Sequence, residues 1–143
     1  NIFLTKGDFL MIEIYTDGAC SYNPGPAGIG IVFILDGGKT NEYSEYIGDN
    51  STNNIAELTA ILRALQLIKD KTQMVKINTD SQYAVGLFNK NHRARKNVDL
   101  VNTIKKEIDK FSDVQFHKVR AHRDDYYNNL ADRLAVTAIE NSY

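Results

Sequence analysis

The chain is nearly free of cysteine. Its one thiol, Cys20, cannot close an internal disulfide and has no Cys or His neighbours at zinc-ligand spacing, so neither zinc nor redox chemistry is expected. Long apolar runs are missing as well. The longest are a handful of residues, against the roughly 18 to 20 that a bilayer crossing takes, and no charged-then-apolar start with a small-residue cleavage site is visible. A cytosolic location away from membranes is expected. Proline is scarce, two residues beside nine glycines, and 43% hydrophobic with 24% charged composition excludes disordered, collagenous and repeat chains. What is present, 143 residues, suits one domain with a real core and leaves no room for a second catalytic domain.

The net charge of −1 hides an uneven distribution. Residues 90–123 carry ten Lys/Arg against four acids, a local charge of +6, while the rest carries seven bases and fourteen acids, or −7. Such a division fits an anionic partner such as nucleic acid beside a site of clustered carboxylates, although charge runs are more often solvated helix faces.

Residues 1–10 show no clear period and are set aside as an extension; residues 11–143 are read as the domain. Residues 12–17 alternate as a strand, and the turn-rich Tyr22-Asn-Pro-Gly-Pro26 follows. Residues 28–35 and 41–47 give two more strands in a meander. A helix is predicted from 55 to about 69, with Ile61, Leu65 and Ile68 at helical spacing. Then come a strand at 74–80, a short helix at 81–88, a basic connector at 89–97, a helix at 98–111, a strand at 113–119, and a final helix from 128 to about 140. A meander followed by crossover units predicts an α/β fold: a mixed five-stranded sheet with helices on both faces. Ligands collect at the carboxyl ends of the parallel strands in such sheets.

Two strands end in the same words, Tyr15-Thr-Asp17 and Asn78-Thr-Asp80. Parallel neighbours would bring these carboxylates out together. Each has a plainer explanation, since Asp17-Gly18 is a common turn pair and Asp80 could cap the next helix. Glu57 lies on or beside the apolar stripe of its helix, and Asp132, between Ala131 and Leu134, repeats that inward lean. Buried carboxylates need partners, and no arginine is matched to each. A cation is the economical alternative. Hard oxygen ligands without His or Cys select Mg²⁺, with Mn²⁺ possible. Phosphodiester cleavage uses such a cluster best: two ions about 3.5 to 4 Å apart can turn water into hydroxide and neutralise the leaving oxygen.

Four motifs in register, Tyr15-Thr-Asp-Gly-Ala-Cys20 with Asn23-Pro-Gly-Pro26, Thr52-Asn-Asn-Ile-Ala-Glu57, Thr79-Asp-Ser-Gln82, and His122 ahead of Asn128-Asn-Leu-Ala-Asp132, resemble those of type 1 ribonucleases H from about residue 11 onward. The resemblance implies the ribonuclease H-like fold and Mg²⁺-dependent endonucleolytic cleavage of the RNA strand of an RNA–DNA hybrid, with two ions, leaving a 5′-phosphate and a 3′-hydroxyl. It places the catalytic and metal-holding set on Asp17, Glu57, Asp80 and Asp132, and assigns His122 to proton handling or product departure. Asn128 would support the site from the start of the last helix or cap that helix. Cys20, Asn23, Asn53, Asn54 and Gln82 match positions that approach the RNA strand, where amides suit a 2′-hydroxyl. Thr52 and Asn97 match positions that hold a DNA-strand phosphate. Arg93, Arg95 and Lys96 stand where many members carry a longer basic protrusion.

The chain departs from the family in offering Asn50 and Ile55 where arginines are common, and Arg123-Asp-Asp125 after His122. No obligate protein partner is evident, and a monomer is expected. The alternatives are the ribonuclease H part of a reverse transcriptase or mobile-element protein, and a nucleic-acid-binding module of weak catalysis.

Overall fold

The computed structural model describes residues 11–35, 38–90, 92–120 and 125–143. Strands β1 (Met11–Cys20), β2 (Gly25–Ile34) and β3 (Thr40–Ser51) precede helix α1 (Asn53–Leu67), and β4 (Met74–Thr79) precedes α2 (Gln82–Asn89) and α3 (Val98–Ile108). Strand β5 (Asp113–Lys118) and helix α4 (Asp125–Glu140) complete the fold. The sheet order is β3-β2-β1-β4-β5. The meander pairs antiparallel, and β1-β4 and β4-β5 pair parallel. This is the mixed five-stranded sheet that the element order predicts.

Alternation along β1 and β2 sorts their side chains between two layers. Ile12, Ile14, Ile29, Ile31 and Phe33 join Leu58, Ile61 and Leu65 of α1 and Val101 and Ile104 of α3 in the larger core. Tyr15 and Val32 face the other way and meet Ala131 of α4, with Leu130 and Leu134 beside them. Helices therefore cover both faces. Helix α2 is tied to the last strand by the stacked rings of Phe88 and Phe116 (5.1 Å) and by Asn89 Nδ2 donating to Phe116 O (2.5 Å). No helix among the described residues is long and apolar enough to cross a membrane.

Several boundaries differ from expectation, β2 starting at Gly25 and β3 running on to Ser51 among them, and two others matter for the site. Strand β1 does not stop at Asp17: it runs on against β2 through Asp17–Gly30 and Cys20–Ala27, whereas its pairing with β4 ends at Tyr15–Asn78. Asp17 thus lies where one neighbour leaves and the other continues, and Asp17-Gly18 is strand rather than turn. Helix α4 starts at Asp125, so Asn128 lies inside its first turn and is not the N-cap. The extra turn contains Tyr127, whose ring packs 5.3 Å from that of Tyr15, so tertiary contact extends the helix beyond its apolar pattern.

Candidate active site

Asp17, Glu57 and Asp80 come together, each offering a carboxylate oxygen within 4.8 Å of the others. Parallel pairing of β1 and β4 brings the two aspartates to the same edge. Ser81, not Asp80, caps α2, its hydroxyl accepting from Ala84 N–H (3.1 Å), so the helix-cap explanation of Asp80 does not hold. Thr52 caps α1 by accepting from Ile55 N–H (3.2 Å), which fixes where the helix starts and points its first turns at β1.

Gly18 makes that approach possible. A Cβ on it would lie 2.5 Å from Glu57 N, so any side chain would push α1 away. Its N–H donates to Asp17 Oδ1 (3.0 Å) and also to Glu57 Oε1. One backbone donor therefore holds two carboxylates side by side. The sequence contains this signal, a glycine next to an acid inside an alternating strand, but the Asp-Gly pair reads as a turn.

A second close approach brings in Asp132. Gly30, the Cα partner of Asp17, lies beneath α4, and a Cβ on it would meet Ala131 O and come within 2.8 Å of Ala135 N. Asp132, next along the helix from Ala131, is near enough to act on the ionisation of Asp17 but lies outside the tighter group of three. It is exposed, not inward-leaning as its position between Ala131 and Leu134 suggests. One helical step of 100° carries it from the buried face to the rim. One turn earlier on the same flank, Asn128 Oδ1 is buried without a hydrogen-bond partner.

Burial is the largest influence on Asp17, raising its pKa to about 7, with Asp80 and Asp132 adding to the rise while the Glu57 hydrogen bond opposes it. Glu57 is driven higher still, first by burial and then by Asp17 and Asp80. The ion pairs of Arg63 with Glu45, Lys76 with Glu13 and Lys110 with Glu107 all lie elsewhere. Clustered oxygens whose ionisation is opposed, beside a buried acceptor lacking a donor, fit a hard divalent cation.

Two concavities are lined by residues that neighbour the acids along the chain. One, of about 430 Å³, is lined by Asn23, Thr52, Asn53, Asn54, Lys96 and Asn97. The other, of about 440 Å³, is lined by Asn54, Gln82, Tyr83, Leu87, His92, Arg93, Arg95 and Lys96. They share Asn54, three residues before Glu57, and Lys96, while Gln82 follows Asp80 by two. Asn23 Oδ1 accepts from Asn53 N–H (3.1 Å), tying the β1–β2 loop to α1. Asn97 begins α3 in the left-handed region (φ 55°), and its side chain makes no capping bond. Tyr83 and His92 escape sequence reasoning, since nothing local marks them as lining residues.

Cys20 is not in either concavity. Its thiol reaches the carbonyls of Tyr22, Gly25 (3.6 Å) and Ser51 (3.3 Å), and it borders a groove with Val136, Ile139 and Tyr143. His122 and the Arg123-Asp124 segment lie outside the described residues, as do residues 1–10.

A model of the RNase H family matches residues 11–140. The chain belongs to the ribonuclease H family. Ribonucleases H are nucleases of the hydrolase class, and the chain is therefore an enzyme. It is similar to the ribonuclease H of Chlorobium phaeobacteroides (strain DSM 266 / SMG 266 / 2430), with 39% identity over 92% of this chain and 97% of that protein. Among solved structures, the RNase H1 of the halophilic archaeon Halobacterium salinarum NRC-1 superposes with a TM-score of 0.80 at 26% identity, over 92% of this chain and 98% of that one. LC11-RNase H1 in complex with an RNA/DNA hybrid gives 0.77 at 30% identity, covering 92% and 98%. The family match spans all four acids, Asp17 on β1, Glu57 on α1, Asp80 just past β4 and Asp132 on α4.

Proposed function

We propose that this ribonuclease H cleaves the RNA strand of RNA–DNA hybrids endonucleolytically, leaving a 5′-phosphate and a 3′-hydroxyl, with Asp17, Glu57, Asp80 and Asp132 holding two Mg²⁺ ions. The observation that carries this reading is the carboxylate group of Asp17, Glu57 and Asp80 within 4.8 Å, carried on segments whose neighbouring residues line concavities of amides and cations. When bound, the cations supply Lewis acidity for an attacking water and for the leaving oxygen of an in-line displacement.

The chain's own residues do the rest. Gly18 N–H keeps Asp17 and Glu57 together, so little reorganisation is left for the reaction. Asp132 and Asn128, one turn apart on α4, add their oxygens to the set. Asn53, Asn54 and Gln82 can both donate to and accept from 2′-hydroxyls, the groups that separate RNA from DNA; Asn23 adds its amide, with its oxygen engaged at Asn53 N–H. Thr52 uses a lone pair to cap α1 and keeps its O–H to donate to a phosphate, beside Asn97. Arg93, Arg95 and Lys96 contribute charge to the backbone of the duplex. His122 assists proton handling or product departure. Cys20 approaches the RNA strand through the loop that its thiol holds. The reading needs no protein partner.

The test is incubation of the protein with labelled RNA–DNA hybrid, double-stranded RNA, single-stranded RNA and DNA duplex, with Mg²⁺ and with chelator. Cutting confined to the RNA strand of the hybrid, abolished by chelator, is expected. Equal cutting of DNA duplex, or cutting that survives chelation, would overturn it.

A further inference from the structure

Gly86 lies in the interior of α2, where glycine is unfavourable because it gives up the most backbone freedom on folding. Its backbone is ordinary right-handed helix, so conformational licence is not what it supplies. The space beside its Cα is occupied by His92: a Cβ on Gly86 would lie 2.8 Å from His92 Nδ1 and 3.3 Å from Cε1. The backbone N–H of His92 also donates to Gly86 O (3.0 Å). A single connector residue is thus seated by side chain and main chain on one helix residue. Three residues back on the same face of α2, the Tyr83 hydroxyl donates to Lys96 O (3.4 Å). Between these two ties lie Arg93 and Arg95, both exposed and both lining the 440 Å³ concavity.

We infer that Gly86 and His92 form a seat that holds the basic connector across α2, making both of them positioning residues for the anionic backbone of the hybrid. The inference rests on the proposed hybrid-binding role of Arg93, Arg95 and Lys96. A connector already ordered gives up little freedom when the duplex arrives, whereas an unseated one must be ordered at the expense of affinity. The chemical step, made at the acid cluster, is not involved.

Gly86→Ala separates the seat from the fold. The added methyl displaces the His92 ring from its seat, and its three nearest neighbours are all atoms of that ring rather than of the core. Alanine is also the better helix former, so Tm should stay level or rise by about 2–4 °C. Hybrid affinity, read at low salt in an Asp17→Asn background that leaves the substrate intact, should fall about fivefold to tenfold, the ordering cost of roughly one residue. In the otherwise wild-type protein KM should rise with kcat unchanged, and amide exchange at residues 92–96 should quicken. His92→Ala should match it, and the double variant should be no weaker than either single one, because they share one contact. Wild-type affinity with unaltered connector exchange in Gly86→Ala overturns the seat, as does a fall in Tm without faster exchange. The Arg93/Arg95/Lys96 triple-alanine variant tells the two ideas apart. If it binds weakly while Gly86→Ala binds normally, the seat alone is wrong; if it binds like wild type, the connector is not a substrate surface and the inference falls with that reading.

Discussion

Asp17, Glu57 and Asp80 reach one another from positions 40 and 23 residues apart along the chain, whereas Arg93, Arg95 and Lys96 fall within four consecutive residues. The acids sit on β1, on α1 and just past β4. The cations sit on a connector tied to α2 by two contacts. Crowded carboxylates repel unless held, so their geometry has to be supplied by the sheet and by close approaches at Gly18 and Gly30. Spaced cations meeting a polyanion need no such accuracy, because the attraction falls off slowly with distance. On the proposed function, catalysis falls to acids gathered from across the fold and charge recognition to one local segment.

That division is most directly broken at the acids. Asp17→Asn removes an anionic ligand while keeping the shape of the side chain, and turnover should fall by roughly 10³-fold or more with hybrid affinity largely kept. Near-normal cleavage by the folded variant would show that the acids are not the catalytic group. A smaller effect is expected at His122, where His122→Ala should lower kcat by about 10²-fold and leave binding unchanged. An equal loss from His117→Ala would mean that the working histidine has been misassigned.

The connector should respond to salt instead. Replacing Arg93, Arg95 and Lys96 together with alanine should weaken binding at low salt and flatten the plot of log affinity against log salt by about two units, at roughly 0.7 to 0.9 per phosphate. The cleavage rate at saturating substrate should hold. A drop in kcat with an unchanged salt slope would erase the contrast between the two regions.

The smallest effect is on stability. Folding raises Asp17 from its ordinary 3.8 to about 7, and Glu57 moves in the same direction. Between those two values the folded protein holds more protons than the unfolded chain. The contribution of Asp17 to stability is therefore full below about pH 4 and is lost as pH rises through 7. Thermal melts of metal-free protein should show Tm falling over this window, with Mg²⁺ restoring it at the alkaline end. Asp17→Asn should lose the Asp17 share of that slope, the Glu57 share remaining, and melt higher than wild type at neutral pH. A metal-free protein whose pH dependence is the same in the variant would count against the crowding of these acids.

Much of the fold was legible in the sequence, since alternation at residues 12–17 and 28–35 and helical spacing in α1 are one-dimensional signals of which side is buried. Asp17, Glu57 and Asp80, which the fold brings together, were legible too, as were the amides and cations that line the two concavities, because those sit close to the acids or to one another in the sequence. The limits of β1 and α4 were not. Asp17-Gly18 reads as a turn until α1 is laid against it, and residues 125–127 gain helical structure through Tyr127 packing on Tyr15. For the same reason Asp132 was read as inward-leaning: a pattern gives the buried face to within about a helical step, and that step separates core from rim. Sequence alone thus determined the order of elements and the kinds of side chain at the site, since both depend on neighbours along the chain. Tertiary structure decided what depends on neighbours across it. One Gly18 N–H came to hold two carboxylates, Gly30 admitted the α4 backbone above Asp17, and Gly86 gave His92 its seat, each because a missing Cβ matters only once another segment has arrived to use the space.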